Sequence, residues 1–267
     1  MSLTRRTLTG RRAIAIVTAA LVVPLAGCGD DVAKDTGGQA SAGGEPSVRL
    51  TVLAAASLTD VFETAGAAYE KARPGTTVTF SFAGSQELAA QVAQGAPADA
   101  LVTADTRTMD KVSADTGTPS VIARNRLVIA TGEGNPHRVD ALTDLADPKL
   151  KVVLAAPEVP VGKYGEKILD ARRITVKPVS QEPNVRAVLS KVALGEADAG
   201  LVYRTDAVTA ADKVDAVEIP DAQNAVTAYP AATLKQSRNA EAAADFVAWL
   251  SSPQAQKILR DAGFQQP

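Results

Sequence analysis

From residue 48 onward, short apolar runs alternate with amphipathic stretches. Residues 48–56 (VRLTVLAAA) read as a buried strand. Val61, Ala65, Ala68 and Ala72 then recur at helical spacing behind Ser57. A helix is expected from there to about Arg73, with Ser57 as its cap, Asp60 three residues on as in a capping box, and Pro74-Gly75 as its stop. Residues 77–82 alternate polar and apolar with period two, and Gly84-Ser85 opens a second helix that Gly95 closes. Further strands are read at 99–103, 126–131, 151–156, 199–203, 214–219 and 225–234. Helices fit at 163–170, 184–194, 205–211, 239–251 and 253–262, the last with Pro253 in its first turn. This alternation predicts an α/β protein with mixed, mostly parallel sheets.

The N-terminus follows a different pattern. Arg5, Arg6, Arg11 and Arg12 precede an apolar run over 13–26, which is 14 residues and shorter than the ~20 needed to span a bilayer. A basic start with a short apolar core reads as an export signal over residues 1–27. The run ends in Leu25-Ala26-Gly27-Cys28, which resembles the lipobox of bacterial lipoproteins, and Cys28 is the sole cysteine. The resemblance implies cleavage before Cys28 and its lipidation. Thr4-Arg5-Arg6-Thr7-Leu8 also resembles a twin-arginine signal, so the export route stays open. Residues 28–46 are poor in bulky apolar side chains and are expected to be a flexible tether, with a reach of roughly 25 Å.

Composition removes several functions. The chain carries 28 Lys plus Arg against 30 Asp plus Glu. Loss of the signal would remove four arginines and no acids, leaving 24 against 30, a net charge of −6. That balance argues against a nucleic-acid surface. One Cys and one His exclude an internal disulfide, cysteine-cluster metal sites and HExxH zinc sites. Gly-x-Ser-x-Gly and phosphate-loop motifs are missing, and His137 sits in a Gly/Pro loop, where a solvated role is expected.

The informative pattern is a small or hydroxyl residue placed where a strand feeds a helix. Ser57 follows three alanines, Ser85 follows Ala83-Gly84, Val161-Gly162 precedes the helix read from Lys163, and Val185 follows Asn184. Free N–H groups and the positive dipole end make each a potential anion site. A single such start is structural by default. Four, two in each half of the chain, suggest a shared site. Arg186 beside Val185 is read as a solvated surface residue.

Ala54-Ala55-Ala56-Ser57-Leu58-Thr59, Ser81-Phe82-Ala83-Gly84-Ser85 and Gly95-Ala96-Pro97-Ala98-Asp99 resemble motifs of the periplasmic molybdate-binding proteins of ABC transporters. So, in order, do Pro157 to Tyr164, Asn184-Val185-Arg186, Gly200 to Ala207, Tyr229-Pro230 and Gly263-Phe264. The resemblance spans about residues 48–265. It implies a two-lobe, type II binding-protein fold with a ligand cleft and two crossover strands. Lobe 1 would be 47–125 plus 227–267, lobe 2 would be 126–226, and the crossings would fall near Asn125-Arg126 and Val226-Thr227. It implies an oxyanion held by Ser57, Ser85, Val161, Val185 and Tyr203, the valines through backbone N–H groups. In better-known members the position of Val161 is Ala and that of Gly84 is Ser. No resident cofactor and no catalytic residue are implied. The partners would be molybdate or tungstate, a permease with its ATPase, and the membrane through the lipid at Cys28. The protein would be an extracytoplasmic monomer.

The chemistry of these positions fits a fully deprotonated dianion. Molybdate only accepts hydrogen bonds, and hydroxyl and N–H groups donate without needing a carboxylate. Phosphate near neutral pH retains a proton, for which the five positions offer no acceptor. Sulfate remains an alternative within the class. A secreted serine hydrolase is a second class, lacking a motif-placed base for Ser57 or Ser85. A structural or adhesive lipoprotein is a third, and it leaves the helix starts unexplained.

Overall fold

A computed structural model describes residues 47–267; the expected signal, Cys28 and tether lie outside them. Among the described residues, strand β1 (Val48–Ala55) leads through a 3-10 turn (Ala56–Leu58) into α1 (Thr59–Ala72). Then come β2 (Thr76–Ala83), α2 (Ser85–Ala93), β3 (Ala100–Val102), α3 (Thr106–Asp110) and the 13-residue β4 (Ser120–Gly132). Next are β5 (Val152–Ala155), α4 (Pro160–Asp170), β6 (Ser180–Glu182), α5 (Val185–Ala193), β7 (Ala199–Tyr203), α6 (Arg204–Thr209) and β8 (Val214–Glu218). The chain closes with β9 (Val226–Thr233), α7 (Ala240–Trp249) and α8 (Pro253–Asp261).

The strands run in the order β2-β1-β3-β9-β4-β7-β5-β6, with β8 also on β4. Pairing is parallel where helices connect the strands, at β1–β2, β1–β3, β5–β6 and β5–β7. It is antiparallel wherever β4 or β9 takes part, so parallel pairs do not predominate. The long β4 changes partners along its length. Ser120–Arg126 lies against β9, and from Leu127 onward the partners are β7 and β8. Helices cover both faces of each half. Leu50, Val52 and Ala54 of β1 enter the main core, whereas Leu53 joins Leu88, Val92, Leu101 and Met109 on the other side. Gly200 in β7 has no room for a side chain, since a Cβ would lie 2.7 Å from Val188 of α5. Its neighbour Leu201 meets α4 at Gly165 on the opposite face. On α7, Phe246 packs edge-on against Tyr69 with ring centroids 5.1 Å apart.

Three local readings differ from the structure. Ser57 does not cap α1; the 3-10 turn puts Leu58 at the cap position, with no side-chain cap. Helix α4 begins at Pro160 rather than near Lys163, because proline's fixed φ suits the first helical position. Arg186 is not a free surface residue. Its Nε lies 2.7 Å from Asp206 Oδ1, off the line of a good hydrogen bond, and the aspartate is fully buried.

Asp206 occupies the first turn of α6, where its Oδ2 accepts the Tyr203 N–H at 3.2 Å. Burial pushes its carboxyl up to about 6, against the opposing pull of Arg186 and the Tyr203 N–H. A carboxyl whose folded value is raised is least costly when protonated. The cost therefore appears as pH climbs from its unfolded value near 4 through about 6. Asp206→Asn should abolish this part of the pH dependence. Urea unfolding at pH 4 and pH 7 should show the variant gaining on the wild type by up to about 3 kcal/mol at the higher pH. An unchanged difference between the two proteins would contradict this assignment.

Candidate functional site

In this topology β1, β2 and β3 run one way and β5, β6 and β7 the opposite way, so the carboxyl ends of the two sets face each other, and each strand hands over to a helix there. Such carboxyl ends are where open α/β sheets form crevices. β1 ends at Ala55, β2 at Ala83, β3 just before Thr103, β5 at Ala155, β6 at Glu182 and β7 at Tyr203. The residues that follow line one small cavity. Ser57, Ser85, Val161, Val185 and Tyr203, read from four separate stretches of chain plus a fifth, all line it. His137 does not; it is half-exposed and paired with Asp198 at 3.2 Å.

The wall is rich in donors. The first N–H groups of a helix have no intrahelical acceptor. At α2 and α4 no side chain caps them. At α5 the Asn184 side chain takes the Ala187 N–H, so the earlier N–H of Val185 is left for the cavity. Pro160 contributes no donor to α4, and Val161 supplies the first N–H of that helix. Gly162 lets this helix start sit on the end of β5, since a Cβ there would fall 2.1 Å from Ala156 O.

Both hydroxyls are oriented from behind. Ser85 Oγ accepts the Ala104 N–H at 2.9 Å, which leaves the hydroxyl proton free to donate. Ser57 Oγ lies 2.9 Å from Tyr229 Oη. The Asn125 amide is fixed by its own Oδ1, which accepts the Arg126 N–H at 2.9 Å. Its Nδ2 donates to Thr205 Oγ1 at 2.8 Å and points at Tyr229 Oη from 3.5 Å. With a donor behind it, the Tyr229 hydroxyl is free to donate forward to Ser57, an arrangement that leaves the Ser57 proton for the cavity. Asn125, Ala104 and Tyr229 were not assigned site roles from sequence. A buried tyrosine inside an apolar strand pattern, beside Pro230, was the available signal for Tyr229.

Tyr203 Oη is buried without a protein partner. Burial, then the neighbouring Tyr229, Asp105 and Asp206, raise its phenol well above the ordinary value, so it keeps its proton and remains a donor. Burial raises Tyr229 in the same way. No lining residue is a carboxylate, Lys, Arg or His. The nearest charges stand just outside, as Asp105 with Lys163 and Asp206 with Arg186. Such a wall can hold a small acceptor-only anion by several charge-assisted bonds. Neither serine has a base as its hydrogen-bond partner. No group of three or more His, Cys, Asp or Glu is arranged to hold a metal ion among the described residues.

Comparison with known proteins places this geometry in a family. The molybdate-binding protein ModA of Mycobacterium tuberculosis is 40% identical over 256 residues, which is 94% of this chain and 97% of that protein. ModA of Haemophilus influenzae is 34% identical, covering 82% of this chain and 90% of the relative. Among solved structures, the periplasmic molybdate-binding protein of Azotobacter vinelandii superposes with a TM-score of 0.70 at 24% identity, over 82% of this chain and 99% of that one. The sulfate-binding protein SubI of Mycobacterium tuberculosis gives 0.74 at 20% identity, over 82% and 87%. At these identities the two structures show a shared periplasmic-binding-protein fold. Residues 50–265 match the family model for bacterial extracellular solute-binding proteins, and the chain belongs to that family.

Proposed function

We propose that this protein captures molybdate, and equally tungstate, outside the cytoplasm and delivers it to an ABC importer. The observation that carries this reading is the convergence of Ser57, Ser85, Val161, Val185 and Tyr203 on one small cavity walled by donors. Each serine is oriented to donate, Tyr203 keeps its proton, and the valines offer N–H groups at helix starts. The high identity to ModA proteins over nearly the whole chain supports the same ligand. In this reading the lobes are 47–125 plus 227–267 and 126–226, joined where β4 changes partners and where β9 begins. The protein is a monomeric carrier with no catalytic step and no resident cofactor. Cys28 carries the lipid that ties it to the membrane, and a permease with its ATPase takes the anion.

Ser57→Ala, Ser85→Ala and Tyr203→Phe each delete one donor to a buried dianion and should weaken molybdate binding by roughly 1.5–3 kcal/mol apiece. Val185→Ala keeps its N–H and should cost far less. Titration calorimetry with Val185→Ala as damaging as Ser57→Ala would refute the backbone role.

Selectivity follows from the wall. Thermal unfolding in molybdate at a hundred times its dissociation constant should show about 2.7 kcal/mol of stabilisation. Tungstate should match it, sulfate should be much weaker, and phosphate weakest, since its proton meets no acceptor. Sulfate binding as tightly as molybdate would reassign the ligand.

Cys28→Ser should release the protein from membranes or leave it unprocessed. A mature-length variant that still fractionates with membranes would exclude the lipid anchor.

A further inference from the structure

Three polar contacts join the two halves of the molecule around the cavity, each within three residues of a lining position. Arg186 Nη2 on α5 lies 2.5 Å from Asp60 Oδ2 on α1. Lys163 Nζ on α4 lies 3.5 Å from Asp105 Oδ2, beside Ala104. Gln86 Nε2, next to Ser85, donates to Pro183 O at 2.8 Å, next to Asn184. The ionic pairs share one polarity. Both cations come from the half that contains β5 to β7, and both carboxylates from the half that contains β1 to β3.

We propose that Arg186–Asp60 and Lys163–Asp105 form an ionic latch across the cleft, which sets how slowly a bound anion leaves without taking part in recognising it. The inference rests on the oxyanion reading of the cavity. Neither cation lines the cavity, so neither adds a contact to the ligand. For an anion to leave, the two rims must part, and parting breaks both pairs. Arg186 is already held in place on its own side. Its Nε faces the buried Asp206, and its Nη1 donates to Thr209 Oγ1 at 3.2 Å. Little side-chain freedom is then lost when the remaining nitrogen meets Asp60. Lys163 closes on an Asp105 whose side chain is 1% exposed and whose Oδ1 is fixed by the Thr108 N–H at 2.8 Å. Asp105 Oδ2 has no hydrogen-bond partner, so the lysine is the group that compensates its charge.

The test is the kinetics of molybdate exchange in Asp60→Asn, Lys163→Gln and the double variant. Asp60 is 56% exposed, so its pair is a modest contributor. Each single change should speed dissociation about two- to fivefold, and the pair about tenfold. Association should change less than twofold, and the preference for molybdate over sulfate should stay the same. The ligand-free thermal midpoint should hold, because the latch acts only across the closed cleft. Raising salt from 50 to 500 mM should hasten release in the wild type and leave the double variant nearly unaffected. Arg73→Gln breaks a pair with Asp245 at 2.8 Å away from the cavity wall and should leave dissociation unchanged. If the double variant releases molybdate at the wild-type rate, the latch is refuted and the oxyanion site stands. If the charges change association alone, they steer the anion and the latch is likewise refuted. A wild type that binds neither molybdate, tungstate nor sulfate overturns the site reading and the latch with it.

Discussion

An acceptor-only ligand must be surrounded by hydrogen atoms, and a folded chain has few ways to supply them without also bringing lone pairs. Helix N-termini are one of those ways, because their first N–H groups have no partner of their own. Much of this architecture follows from bringing several of them together. Two sets of parallel strands running in opposite senses bring their helix starts face to face, and the alanines and glycines that precede them let backbones approach. The two hydroxyls also present protons because something donates to each from behind. Ala104 N–H does so for Ser85, and the Tyr229 hydroxyl, 2.9 Å from Ser57 Oγ, is placed to do so for Ser57.

That arrangement explains why charge is kept one step away. A guanidinium in the wall would attract many anions, whereas neutral dipoles reward the number and direction of acceptors. The cations stand behind the wall, and each faces a carboxylate. Asp206 shows what this costs. It is fully buried to hold Arg186 and the Tyr203 N–H, and its carboxyl is raised as a result. The tyrosine that supplies a donor is thus braced by an acid that would be more stable in water.

Most of the fold was legible in the sequence because buried strands and amphipathic helices leave periodic traces. The parts that escaped are short or non-local. α3 spans five residues and β6 three, too few for a period to show. The first half of β4 carries Arg124 and Asn125 amid apolar positions, and its pairing with β9 joins residues about a hundred apart. Ser57 carried the spacing of a helix cap, yet its oxygen meets a tyrosine 172 positions away. Local spacing could not reveal that contact. The five lining positions were found because order along the chain carried them, whereas their supports Asn125, Ala104 and Tyr229 act through tertiary contacts. Arg186 was misread for the same reason, since its partners Asp60 and Asp206 lie on other helices.

Gly84 departs from the serine expected at its position, and the structure gives the departure a meaning. A Cβ there would sit 2.6 Å from Pro183 O, on the far side of the cleft, and 2.5 Å from the Gln86 amide. Gly84 therefore leaves room for the Gln86 amide, which bridges to Pro183 O at 2.8 Å. A contact of that kind works as a hard end-stop: the rims travel until the amide meets the carbonyl and then no further. The resting size of the cavity is in that sense machined into the chain by one absent carbon, and an anion is gauged against a fixed jaw.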